Sequence, residues 1–174
     1  MNKGDTIKAG KLHIKIQCDF SAIESIATLK KLRNPKNRNT HPDDQIDALA
    51  EQFEYQGIRL PIIISNQSKK FVAGEGRFLA AEKLGMTHFP VSYQDFENVD
   101  AEWAFGIADN ALQQRSILDF KGINVDIPEF GPIKISLLGI KDFSVDMSET
   151  ETNEEEPDEK SHSGKECPSC GYTF

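Results

Sequence analysis

The segment Lys70-Phe71-Val72-Ala73-Gly74-Glu75-Gly76-Arg77 constrains this chain more than any other. A β-favouring run breaks on a Gly-x-Gly turn, and a helical pattern follows to Leu84, closed by Gly85. Such a corner commits the chain to mixing sheet with helix. The glycines Gly74 and Gly76 let backbone approach a ligand closely. The helix start adds unpaired amides and a positive dipole end, which suit a phosphate. Arg77, in the first turn, can supply a planar donor fork. Glu75 would repel a bare anion, but fits a divalent cation that accompanies a phosphate, or a proton acceptor in a reaction. The same turn also serves as a purely structural corner between strand and helix.

The neighbouring segments fill in a fold. Lys11 to Cys18 alternates polar and apolar residues, which predicts a half-buried strand with Lys11, His13 and Lys15 on its wet face and Cys18 buried. Ile23 to Leu29 reads as a second strand, followed by a basic loop over residues 30–39. A helix then begins at Pro42, with Thr40 or His41 as cap and Asp43 and Asp44 complementing the dipole. Its stripe is Ile46, Leu49, Ala50 and Phe53, and Gly57 stops it. Pro61 to Ser65 reads as a buried strand, pairing through a turn at 66–68 with the strand at 70–73. His88 to Tyr93 is a further strand. Asn98 caps a last helix whose inner face is Val99, Trp103 and Ile107. The order predicts an α+β fold, a small mixed β-sheet layered with helices.

Length and charge set the organisation. A chain of 174 residues holds one ordinary domain with appendages. The expected boundaries are a basic N-terminal extension over 1–23, the domain at 24–115, a subsidiary lobe at 116–147, a disordered acidic linker at 148–166 and a cysteine-bearing tail at 167–174. Residues 1–40 carry nine Lys or Arg against three acids, whereas eight acids follow residue 147. The overall acidity therefore does not exclude a nucleic-acid partner. In the loop from Arg33 to His41, the side chains Arg33, Lys36 and Arg38 can meet DNA phosphates or base edges, or can form an ordinary polar loop. Asp109 and Asn110 can hold a metal or a ribose, or can serve a helix end.

Cys167-Pro168-Ser169-Cys170-Gly171 looks like one knuckle of a zinc ribbon. Tetrahedral Zn²⁺ needs four ligands and two are local, so His162, a second chain in a zinc-linked homodimer, or another protein would complete it. No secretory signal and no apolar run of membrane length is visible, so no membrane partner is expected. The three cysteines make no disulfide framework, which places the chain in a reducing cytoplasm.

Taken in order, Asn34-Pro35-x-x-Arg38, Gly57-Ile58-x-x-Pro61, Val72-Ala73-Gly74-Glu75-Gly76-Arg77, Leu84-Gly85, Phe89-Pro90-Val91 and Ala108-Asp109-Asn110 resemble the N-terminal domain of the ParB/sulfiredoxin superfamily. The resemblance is greatest to the ParB-like domains of phage and mobile-element proteins, often fused to DNA methyltransferases. In that family, ParB proteins bind and slowly hydrolyse CTP while clamping DNA, and some relatives act as nucleases or as kinases of small molecules. The resemblance thus implies a nucleoside triphosphate with Mg²⁺, DNA, and a DNA methyltransferase or other modification enzyme as partners. It implies three activities: slow nucleotide hydrolysis, metal-dependent cleavage by Glu75 with Asp109, or a non-catalytic adaptor role. Gly74, Glu75 and Arg77 match its phosphate motif, and Gly57 and Pro61 match the ends of its Gly-x-x-Gln-Pro motif. Asp109 and Asn110 match the start of a motif approaching the triphosphate and its metal, and Arg38 matches an arginine beside the same pocket. Gly76 replaces one phosphate-binding arginine, and Leu60 replaces the glutamine before Pro61. No helix-turn-helix domain is expected in the residues after Arg115, and the sulfiredoxin cysteine is missing from the Gly74–Arg77 turn.

Overall fold

Ser25 ends one element and starts the next. The computed structural model, which describes residues 1–130, 134–141 and 143–144, divides the expected strand at 23–29. Strand β3 (Ala22–Ser25) stops where the Ser25 hydroxyl accepts from the Thr28 amide at 3.1 Å, and helix α1 (Ile26–Leu32) begins. A local cap here outweighs the β-branched run that suggested a longer strand. Before it lies a hairpin of β1 (Thr6–Ala9) and β2 (Leu12–Lys15). The sequence reading missed β1 and extended β2 too far, because Ile16 forms only an isolated bridge to Ile58.

Helix α2 (Asp43–Gln56) buries Ile46, Ala50 and Phe53, as its stripe predicts. Its cap differs from expectation. Pro42 takes that position, and its carbonyl receives the Gln45 and Ile46 amides, so neither Thr40 nor His41 caps by side chain. Strands β4 (Ile62–Ser65) and β5 (Phe71–Ala73) form the expected hairpin, and helix α3 (Glu75–Lys83) follows directly. Then come β6 (His88–Gln94) and α4 (Val99–Gln113), the latter capped by Asn98 through the Ala101 amide at 2.8 Å. A short helix α5 (Phe120–Asp126) and two 3₁₀ turns complete the described chain.

The main sheet runs β3-β6-β4-β5, with β4 and β6 parallel and the other pairs antiparallel. It is the small mixed sheet with helices that the element order predicts. The core is shared widely: Phe78 and Phe89 are fully buried, and so are Ile7 and Ile16 from the N-terminal residues. Phe53 meets Phe89 at 5.5 Å between ring centroids, and Phe71 meets Phe78 edge-on at 5.7 Å. Leu137 is buried, and its carbonyl accepts from Gln52 of α2. Among the described residues, no helix is long and apolar enough to cross a membrane. The acidic linker at 148–166 and the proposed zinc ligands Cys167, Cys170 and His162 lie outside the described residues.

Candidate functional site

The turn between β5 and α3 depends on Gly74. It adopts φ +101°, a left-handed conformation that L side chains rarely enter, and a Cβ there would lie 2.9 Å from Arg77 Nη2. The arginine therefore folds back over its own helix cap. That position also explains its burial, which lowers the pKa of the guanidinium against the opposing influence of the Asp109 carboxylate. At Gly76 the close neighbours are His41 and Leu49 of the α2 region, each about 3.2 Å from an added Cβ.

A cavity of about 580 Å³ opens in front of this turn. One wall is the loop from Asn34 to Asn39, a second is the α3 start with His41, and a third is α4 with Glu102, Trp103, Asp109 and Asn110. Four buried polar atoms on its lining lack a hydrogen-bond partner among the described residues: His41 Nε2, Glu75 Oε2, Arg77 Nε and Glu102 Oε2. Folded proteins rarely leave such atoms unpaired, and each costs about 1–3 kcal/mol when they do. Clustered on one cavity, they are lining groups with hydrogen-bonding capacity left for water or a polar ligand.

Of the residues singled out in the sequence, Gly74, Glu75, Gly76, Arg77, Arg38, Lys36, Asp109 and Asn110 all line this cavity. Three do not. Gly57 is the C-cap of α2 at φ +74°, where a Cβ would strike the Lys15 carbonyl. Pro61 precedes β4. Arg33 is engaged within the fold: its Nε donates to Glu75 Oε1 at 2.6 Å, its Nη2 contacts the same oxygen at 2.5 Å, and its guanidinium lies 5.5 Å from the Phe78 ring centre. Glu75 is thus held in an ion pair with one carboxylate oxygen occupied.

The pattern also misled at α4. Val99, Trp103 and Ile107 were expected to face the core, yet Val99 and Trp103 are about 60% exposed and all three line the cavity. The reason is Gly106, whose missing side chain lets α4 rest on the Val72 carbonyl, so the apolar stripe beside it is turned to the cavity. Glu102 is the residue that sequence reasoning overlooked as a site group. It sits 6% exposed and accepts from Ser68 Oγ at 2.5 Å, whereas an acid in a helix's first turn reads from sequence as a dipole partner. Asp109 makes a long contact with Gln113 at 3.5 Å, and Asn110 donates to the Gly106 carbonyl within its helix.

Among the described residues, no three His, Cys, Asp or Glu side chains converge to hold a metal ion. A divalent cation would therefore need most of its ligands from a bound phosphate and from water, as Mg²⁺ commonly takes them. Besides Glu75, which is paired with Arg33, the carboxylates lining the cavity are Asp100, Glu102 and Asp109.

The described chain has the fold of the N-terminal domain of ParB proteins. Among solved structures it is similar to the C-terminally truncated chromosome-partitioning protein ParB from Caulobacter crescentus complexed with CTP-gamma-S. That likeness has 23% identity and a TM-score of 0.52, covering 68% of this chain and 70% of that chain. It is also similar to the truncated Caulobacter crescentus protein complexed to the centromeric parS site, at 22% identity and a TM-score of 0.44, covering 68% and 63%. No protein-family model matches the sequence. No curated protein matches it either.

Proposed function

We propose that this chain binds a nucleoside triphosphate in the cavity between α3, α4 and the Asn34–Asn39 loop. The observation that carries this is the buried Arg77, folded back over the α3 start on the cavity lining, whose Nε has no hydrogen-bond partner among the described residues. The phosphates belong at the α3 start, where Arg77 and the first-turn amides point, with Arg38 and Lys36 on the rim. Asp109 and Asn110 would share a Mg²⁺ ion with those phosphates. The fold's likeness to a ParB crystallised with CTP-gamma-S supports a nucleotide. The resemblance of the ordered sequence motifs to phage and methyltransferase-associated ParB-like domains is what suggests an accessory role in DNA modification or maintenance. In that role the exposed Lys36 and Arg38 are the residues left to meet DNA, because Arg33 is engaged with Glu75.

Isothermal titration against ATP, CTP, GTP and serine tests this reading. The chain is expected to bind at least one of the three nucleotides and not serine. Arg77→Ala is expected to weaken that binding at least tenfold, the loss of one charge-assisted contact of about 1.5–3 kcal/mol. Absence of binding to all three nucleotides would reject the proposal.

A further inference from the structure

His41 sits where an anion-binding residue would be useful, and three observations place it there. Its ring lies against the first turn of α3, with Nδ1 3.2 Å and Cε1 3.4 Å from the Cβ that residue 76 lacks. A Cβ at 76 would press on the imidazole and on Leu49, each of which would have to give by a few tenths of an ångström, so the glycine lets the ring lie close over the helix start. Nδ1 lies 3.1 Å from Oε1 of Gln45 in the first turn of α2, a contact that fixes the ring's orientation. The other nitrogen, Nε2, is buried on the cavity lining with no hydrogen-bond partner among the described residues.

The tautomer follows from the fixed side. With Gln45 Oε1 accepting, Nδ1 carries the proton, and the neutral ring presents a lone pair at Nε2. A lone pair repels a phosphate oxygen, whereas the imidazolium turns the same atom into a charged N–H donor. The charged groups on the surrounding walls are Arg38 and Lys36 from the loop, Lys70 before β5, Glu75 and Arg77 from α3, and Asp100, Glu102 and Asp109 from α4. Asp43 and Asp44 lie nearby on α2, the latter paired with Lys141 at 3.2 Å. Glu75 is paired with Arg33, so a bound phosphate would bring to the lining a further negative charge that a protonated ring could answer.

We propose that His41 is a phosphate-binding residue of this site, donating from Nε2 to the ligand when protonated, so that the site takes its ligand more tightly in mildly acidic solution. This rests on the nucleotide-binding reading above. The linkage has a definite sign: protonation supplies the donor, so affinity is gained as pH falls through the imidazole range and is lost as pH rises through it.

The test uses the full chain, with CTP and inorganic pyrophosphate as probes. Titrations at about pH 6 and about pH 8 should give CTP binding roughly tenfold tighter at the lower pH, the worth of one charge-assisted hydrogen bond. Pyrophosphate, which lacks base and sugar, should share the trend. His41→Gln should retain binding near its weaker level and lose most of the pH slope. The free nucleotide's own titration is common to both measurements, so the difference between their slopes reports the ring. Imidazole nitrogen NMR on the unsubstituted chain gives a reading free of folding defects: saturating CTP should raise the titration midpoint of His41 and leave that of His88 in place. A midpoint for His41 unmoved in the CTP-bound chain, or a His41→Gln protein with the full slope, would overturn the inference while leaving nucleotide binding intact. No binding by the unsubstituted chain at either pH would overturn the nucleotide reading, and this inference with it.

Discussion

Glu75 illustrates how one contact redefines a residue. Its side chain is 11% exposed and depends on Arg33, 42 positions earlier, for its paired charge. Removing the arginine would strand that carboxylate, and stranding is costlier than the pair is worth. Arg33→Ala is therefore expected to destabilise the chain by about 2 kcal/mol in urea unfolding, with Glu75→Gln on the same background restoring part of the loss. An unchanged unfolding midpoint in Arg33→Ala would remove this structural role. Sequence spacing could bring Glu75 to a helix start and Arg33 to a basic loop, but not bring the two together. Pairing across 42 residues is a product of the folded path, and no local pattern encodes it. The same holds for His41, whose place over α3 follows from a missing side chain at position 76 rather than from anything in its own neighbourhood.

At the scale of elements, local chemistry was legible wherever it went unopposed. The β4–β5 hairpin, α2 with its buried stripe, β6, and the Asn98 cap of α4 all follow from periodicity and end signals. Strand β1 did not, because Thr-Ile-Lys-Ala is too short to establish a period. The apolar stripe of α4 was read as a core face, since periodicity gives an amphipathic side without saying what lies across from it. Position along α4 matters for the site, because it supplies one cavity wall from Val99 to Gln113. Asn98→Ala is expected to cost about 1 kcal/mol. It should accelerate amide exchange in the first turn of α4 while leaving α2 and β6 protected; uniform acceleration across all three would contradict a local effect.

At the scale of the molecule, α+β architecture followed from element order, whereas the parallel pairing of β4 with β6 could not be read from it. The N-terminal hairpin shows why a charge count is a poor guide to packing. Its lysines face water, yet Ile7, Ile14 and Ile16 join the same core as Phe53 and Phe89. The chain from Lys15 to Gln17 exchanges backbone hydrogen bonds with Ile58 at 2.8 Å. Ile16→Ala is accordingly expected to lower stability by about 3 kcal/mol through a single cooperative transition. A separate early melting step of the hairpin would show that it folds independently.

Gly106 gives α4 a second consequence. β5 is the end strand of the main sheet, and the Val72 carbonyl against which Gly106 rests belongs to that strand. Exposed strand ends invite pairing with another chain, and helices laid over them are a common protection. The wall that shapes the cavity is thus also a lid on the sheet's margin. Loss of α4 would therefore open both the cavity and the β5 edge at once.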